Sequence, residues 1–114
     1  MVEELSAARL HERIEAGEEI QVVDVRSEHA YRRGHIPGAE NVPIHRFTEA
    51  IEDHDWADEI VVACPHGESS LQAARLLEAY EETDDDTRVL NLADGYDGWE
   101  YGLEPDSGRP DSPL

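Results

Sequence analysis

The feature that most constrains this chain is a short apolar run that leads into its only cysteine. Ile60–Ala63 is rich in β-branched residues, which favours a buried strand, and Cys64 follows it directly. Small and polar residues occupy positions 65–70, and apolar residues recur at helical spacing from Leu71 onward. This order predicts a strand, a tight loop and a helix. The thiol then faces the amino end of the helix, where backbone N–H groups and the helix dipole favour a thiolate.

The rest of the chain alternates helical and extended patterns around this stretch. The predicted elements are a helix capped by Ser6, a strand at Ile20–Val25, a helical turn at Ser27–Arg33, a short strand at Asn41–Val42, a helix at Arg46–Ile51, a helix at about Ser70–Tyr80 and a last strand at Val89–Leu92. This alternation predicts a parallel α/β sheet, whose ligands bind beyond the carboxyl ends of the strands. Asp24 and Cys64 both lie at such ends, so we expect the active site at that edge.

Length and composition limit the architecture. A chain of 114 residues suits one domain, which we expect over residues 1–104, followed by a flexible acidic tail over 105–114. A single cysteine excludes an internal disulfide, so packing alone must hold the fold together. No stretch has the pattern of a signal peptide or the length of a membrane helix. We therefore expect a cytoplasmic protein.

The charge balance is strongly acidic. There are 28 acidic residues against nine basic ones, all arginine, which gives a net charge of −19. Such a charge repels nucleic acids and anionic membranes, so we expect neither as a partner. An ordinary acidic surface would explain the charge, but we favour adaptation of a halophilic organism to a salty cytoplasm, where screening removes the self-repulsion.

The residues after Cys64 suit a nucleophile better than a buried core thiol. Gly67 permits a positive φ, so the backbone can curl around the sulfur, and Ser69 or Ser70 can cap the following helix. Such a loop stabilises a thiolate or a persulfide without a metal. The histidines lack metal-binding spacing, so we expect no metal and no cofactor. The predicted site consists of the catalytic Cys64 and the loop residues Pro65, His66, Gly67, Glu68, Ser69 and Ser70.

Three segments resemble rhodanese-like domains. Asp24–Arg26 and Gly34–Pro43 are similar to the N-terminal signature of that family, D-V-R followed by G-H-I-P-G-A-x-N-[IV]-P. Cys64–Ser70 is similar to its active-site loop, C-x-x-G-x-R-S. Leu92–Gly102 resembles its C-terminal element, G-G-x-x-x-W followed by a glycine. The resemblance extends from about Leu5 to Pro105.

The resemblance implies a fold and an activity. The fold would be a five-stranded parallel sheet flanked by helices on both faces. The activity would be sulfur transfer: Cys64 would take a sulfane sulfur from a small-molecule donor such as thiosulfate, become a persulfide, and pass the sulfur to a thiol, cyanide or protein acceptor. This double displacement needs no cofactor. The sequence leaves the donor, the acceptor and the oligomeric state open.

Three residues depart from the family pattern. Ser69 stands where the loop usually has an arginine, Glu68 adds a negative charge, and Asp94 replaces a glycine of the C-terminal element. The loop therefore lacks a fixed positive charge that could hold an anionic donor. Glu68 also disfavours a second negative charge on the nearby sulfur. We therefore do not expect thiosulfate to be the donor by default.

Several residues outside Cys64 allow two roles each. Asp24, Arg26 and His35 either line the pocket or support it. We favour support: Arg26 would form an ion pair with Glu28 or Asp24, and the His35 ring would fix a turn. His66 either helps to ionise Cys64 or is simply solvated.

Two other functions compete with sulfur transfer. Phosphatases and arsenate reductases of related topology need an arginine six residues after the cysteine to bind the oxyanion, and that position is Ser70 here. A non-catalytic interaction or sulfur-relay module is the stronger alternative. The retained Cys64 favours chemistry, whereas Glu68 and the missing arginine favour the module.

Overall fold

The computed structural model of the chain describes residues 2–80 and 87–104. Its helices and strands are β1 (Glu3–Leu5), α1 (Ala7–Glu15), β2 (Gln21–Asp24), α2 (Glu28–Arg33), β3 (Glu40–Asn41), a 3₁₀ helix (Ile44–Arg46), α3 (Phe47–Ala50), β4 (Glu59–Ala63), α4 (Ser69–Tyr80), β5 (Arg88–Leu92) and a second 3₁₀ helix (Tyr96–Gly98). The strands form one parallel sheet in the order β1-β5-β4-β2-β3. The predicted α/β class and the five-stranded parallel sheet are confirmed.

The edge strand β1 is the one strand among the described residues that the sequence patterns did not locate. It has three residues, and Glu3 and Glu4 are exposed whereas only Leu5 is buried. No apolar run marks such a strand, and charged edge residues are typical of strands that must not pair with another chain. The helix start after it is as predicted, because the Ser6 hydroxyl accepts a hydrogen bond from the Arg9 N–H at 3.2 Å.

Two apolar clusters cover the two faces of the sheet. On one face, α3 and α4 pack on the sheet through Phe47 and Leu77. On the other face, α1 packs through Leu10, close to the buried Trp99. Strand residues alternate between the clusters: Val62 and Cys64 belong to the first, whereas Val61 and Ala63 belong to the second.

The tail predicted over 105–114 lies outside the described residues. Within residues 2–80 and 87–104, no helix combines the length and the apolar composition that a membrane span requires.

An ion-pair network joins strands at the amino-terminal edge of the sheet. Arg13 donates to both carboxylate oxygens of Glu59, and its Nε donates to Glu18 at 2.7 Å. Arg88 bridges Glu59 and Glu3, with distances of 2.9 and 2.7 Å. The side chains of Arg13 and Glu59 are only 18% and 16% exposed, so their ion pair is shielded from water better than the other ion pairs of this network. The network thus links α1, β1, β4 and β5.

We predict that Glu59→Gln destabilises the domain and flattens the acid limb of its stability profile. Hydrogen bonds from Arg13 lower the pKa of Glu59. The stabilisation is therefore complete above the unfolded-state pKa of about 4.3 and is lost as the pH falls through the lower folded-state pKa. We expect a loss of about 2 kcal/mol near neutral pH, measured by denaturant unfolding.

Glu49→Gln is the matched control because Glu49 is exposed on α3. It should change the free energy of unfolding by less than about 0.5 kcal/mol. Equal effects of the two substitutions would contradict the role given to the network.

Candidate active site

Cys64 lies directly after β4, at the carboxyl edge of the sheet, and is only 2% exposed. Its sulfur accepts a hydrogen bond from the Gly67 N–H at 3.0 Å, and the thiol donates to the Ser70 hydroxyl at 3.1 Å. The loop therefore folds back so that a backbone amide and a hydroxyl both meet the sulfur. A backbone N–H in this place stabilises negative charge on sulfur.

Asn91 on β5 completes this arrangement, and the sequence analysis did not identify it. Its Oδ1 accepts a hydrogen bond from the Ser70 hydroxyl at 2.5 Å, and its Nδ2 donates to the Gly67 carbonyl at 3.1 Å. Asn91 is 2% exposed and Ser70 is fully buried. A lone amide within the apolar strand Val89–Leu92 was the sequence signal, because buried polar side chains need partners.

Gly67 has the backbone conformation that the sequence predicted. Its φ is +86°, and a Cβ at this position would lie 2.6 Å from the Ala93 carbonyl oxygen. Glycine is therefore required here for two reasons: the left-handed backbone and the close approach of the segment after β5. That close approach keeps the loop folded over the sulfur.

The turn after β5 holds the other end of the loop. The Tyr96 N–H donates to the Cys64 carbonyl at 2.8 Å, and the Asp97 N–H donates to the Pro65 carbonyl at 3.0 Å. A Cβ on Gly95 would lie 2.5 Å from both of these carbonyl oxygens. The C-terminal segment therefore fixes the backbone of the cysteine itself.

The buried Asp24 and the half-buried Arg26 form an ion pair on the opposite face of the sheet from Cys64. Arg26 Nη2 lies 2.8 Å from Asp24 Oδ2 and also donates to the Gly34 carbonyl at 2.7 Å. The Tyr96 hydroxyl donates to Asp24 at 2.9 Å and accepts from the Ile36 N–H at 3.1 Å. Burial and the charge of Asp24 raise the pKa of Tyr96, so the phenol keeps its proton and stays a donor.

Asp24 and Cys64 thus share the predicted edge of the sheet but not one face. Asp24 alternates with Val23, which belongs to the same apolar cluster as Cys64, so the carboxylate points to the opposite face. Glu28, the other candidate partner for Arg26, pairs instead with Arg32 at 3.3 Å.

His35 has contacts that tie two turns together. Its Nδ1 lies 2.9 Å from the Tyr31 carbonyl oxygen, and its ring stacks on the Tyr31 ring with centroids 3.9 Å apart. Its backbone pairs with Glu104 through two hydrogen bonds of 3.0 and 2.9 Å. None of the described hydrogen bonds to the sulfur comes from Asp24, Arg26 or His35.

The family model of the rhodanese-like domain matches residues 6–101. The chain belongs to the rhodanese-like domain family. It is 36% identical to the thiosulfate sulfurtransferase GlpE of Shewanella oneidensis over 95 aligned residues. The alignment covers 83% of this chain and 89% of that protein. It is also 36% identical to the protein of the same name from Pseudomonas fluorescens over 90 aligned residues. That alignment covers 77% of this chain and 79% of the relative.

A solved structure supports the same assignment. The rhodanese-like domain from Anabaena, determined by solution NMR, superposes with a TM-score of 0.76 at 28% identity, over 100% of this chain and 86% of that one. The five-stranded parallel fold that the resemblance implied is therefore confirmed.

The remaining residues of this rhodanese-like loop are exposed. Pro65, Glu68 and Ser69 all face solvent. His66 is also exposed, and its Nδ1 lies 2.5 Å from Asp97 Oδ2. The exposed surface beside Cys64 therefore carries the imidazole of His66, the carboxylate of Glu68 and, from the second 3₁₀ helix, the carboxylate of Asp97.

Asp94, which replaces the family glycine, is turned toward α1. Its carboxylate accepts a hydrogen bond from the Ala7 N–H at 3.3 Å. A negative charge at the start of a helix is stabilised by the unpaired N–H groups there. Among residues 2–80 and 87–104, no group of three potential ligands is placed to hold a metal ion.

We predict that Gly67→Ala destabilises this domain more than Gly38→Ala does. The two glycines have similar φ angles, +86° and +83°, but a Cβ at Gly38 would meet nothing within 4 Å. Gly38→Ala should therefore show only the backbone cost of about 1 kcal/mol, whereas Gly67→Ala should lose about 3 kcal/mol. Denaturant unfolding of both variants measures the difference. Equal losses in the free energy of unfolding would mean that Gly67 does not pack closely against the Ala93 carbonyl oxygen.

Proposed function

We propose that this rhodanese-like domain is a sulfurtransferase with Cys64 as its nucleophile. In the first step the Cys64 thiolate attacks the outer sulfur of a sulfane-sulfur donor. A sulfur–sulfur bond to Cys64 forms, and the rest of the donor leaves with the electron pair of the broken bond. In the second step a thiol, cyanide or protein acceptor attacks the outer sulfur of the persulfide, and Cys64 leaves as a thiolate.

The observation that carries this proposal is the hydrogen bond from the Gly67 N–H to the Cys64 sulfur at 3.0 Å. Cys64 is negatively charged at the start of the first step and again at the end of the second. A fixed backbone donor stabilises that charge without reorganising during the reaction. The similarity to proteins named thiosulfate sulfurtransferases supports the same class of chemistry.

The exposed part of the loop argues against an anionic donor. Glu68 in the loop and Asp97, which contacts the loop through His66, add negative charge there. Ser69 supplies no positive charge in place of the family arginine. The His66 imidazole is itself engaged by the Asp97 carboxylate. A thiol persulfide, which needs no oxyanion clamp, suits this loop better than thiosulfate.

A non-catalytic interaction or sulfur-relay module is the second candidate. The same exposed residues, Glu68 and Ser69, favour it because they weaken donor binding. The two candidates differ in turnover: a transferase must gain and release sulfur at Cys64 repeatedly with small-molecule substrates, whereas a relay module would release it only to its own partner and a purely interacting module would gain none.

Intact-mass measurement tests the proposal. The purified protein is incubated in high salt with thiosulfate and, separately, with a thiol persulfide. We expect the protein to gain the mass of one sulfur atom, in a larger fraction of molecules with the persulfide than with thiosulfate. Cys64→Ser should gain none. Addition of a thiol acceptor should then remove the extra mass. Thr48→Ala is the matched control, because it removes an exposed hydroxyl on α3, outside the loop.

An adduct that persists in Cys64→Ser would place the chemistry elsewhere. A folded protein that gains no sulfur from either donor would favour the non-catalytic module.

A further inference from the structure

We propose that Asn91 is a positioning residue that sets the direction of the Ser70 hydroxyl and thereby holds Cys64 as a hydrogen-bond donor. This inference deepens the proposed function, since it rests on Cys64 being the nucleophile. Asn91 lies on β5, accepts from Ser70 at 2.5 Å, and is separated from the sulfur by that one hydroxyl. It therefore acts through Ser70 rather than on a substrate.

The orientation of the Asn91 amide is determined by its neighbours. The Gly67 carbonyl oxygen lies 3.1 Å from Nδ2, and a Glu4 carboxylate oxygen lies 3.3 Å from it. Both neighbours can only accept hydrogen bonds, so the NH₂ group must face them. The strand pairing of Glu4 opposite Asn91 keeps the second acceptor in place. The amide oxygen therefore has to face Ser70.

This orientation decides where the single hydroxyl proton of Ser70 goes. Because Asn91 Oδ1 can only accept, the Ser70 O–H donates to it. The lone pairs of the same oxygen then face Cys64, and the thiol proton is donated to them at 3.1 Å. The chain of donors runs from sulfur to serine to asparagine, with all three residues at most 2% exposed.

The arrangement has a chemical consequence for the nucleophile. A thiolate has no proton to donate, so it would face the lone pairs of Ser70. The hydroxyl can turn to the sulfur only by giving up its bond to Asn91, because it has one proton. Asn91 thus competes with the thiolate for that proton and restrains Cys64 in its resting, protonated form. The Gly67 N–H, by contrast, favours the thiolate.

Alkylation of Cys64 by iodoacetamide tests this inference without requiring any sulfur transfer. Asn91→Leu removes the competing acceptor at similar volume and frees the Ser70 hydroxyl for the sulfur. We expect about a threefold faster alkylation at a fixed pH: one added hydrogen bond to a charged group raises the thiolate fraction about tenfold, and the weaker nucleophilicity of the stabilised thiolate offsets part of that gain. In the Ser70→Ala background the same substitution should leave the rate unchanged, since no hydroxyl is present to redirect.

Asn91→Asp keeps an acceptor for the Ser70 proton, while it loses the NH₂ group that donates to Gly67 and Glu4. Its alkylation rate should not exceed that of the wild type. Gln21→Leu is the matched control: Gln21 begins β2 at the amino-terminal edge of the sheet, and its amide donates to the Asp55 carbonyl at 2.9 Å and accepts from the Ala57 N–H at 2.7 Å. It should lower the melting temperature without changing the alkylation rate.

Three results would overturn the inference. An equal rate increase in the wild-type and Ser70→Ala backgrounds would show that Asn91 merely packs the loop. No increase in Asn91→Leu, or an equal increase in Asn91→Asp, would show that its acceptor oxygen does not direct Ser70. If Asn91→Leu fails to fold, Asn91→Ala takes its place in the wild-type and Ser70→Ala backgrounds, and its rates are judged by the same criteria. If the Asn91 variants change the alkylation rate as expected but the wild-type protein gains no sulfur, the proposed sulfurtransferase function is contradicted and the role of Asn91 is not.

Discussion

The hydrogen bonds from the turn after β5 to the carbonyls of Cys64 and Pro65 are the contacts on which the site depends. They come from the Tyr96 and Asp97 N–H groups, and only a glycine at position 95 leaves room for them. A loop of small and polar residues has little apolar surface of its own to bury. Its geometry must therefore be imposed from outside, and a segment 32 residues further along the chain imposes it.

The same turn connects the two faces of the sheet. The Tyr96 backbone holds Cys64, while the Tyr96 hydroxyl reaches Asp24, and its ring lies under the Arg26 guanidinium at 3.6 Å. The ion pair of the buried Asp24 with Arg26 therefore supports the nucleophile without touching it. Loss of one partner from such a pair leaves an uncompensated buried charge, which is strongly destabilising. The family's N-terminal and C-terminal motifs thus form one structural unit beneath the loop.

Much of this fold follows from local patterns, and the rest depends on distant contacts. The β-branched runs before Asp24 and Cys64 located β2 and β4 because buried parallel strands need no alternation. The strand β1 was missed since its stability comes from pairing with β5 and not from its own residues. Asn91 was missed for a related reason. Its role depends on Ser70, which is 21 residues away in sequence and within hydrogen-bond distance only after β4, α4 and β5 have assembled.

Initial-rate kinetics show whether Cys64 carries sulfur covalently from a donor to an acceptor. Donor and acceptor concentrations are varied together for the folded protein in high salt, with a thiol persulfide as donor and a thiol as acceptor. A covalent double displacement releases the first product before the acceptor binds, so we expect parallel lines in double-reciprocal plots. Intersecting lines would indicate direct transfer between the two bound substrates, and a rate no faster than the uncatalysed reaction would contradict the account.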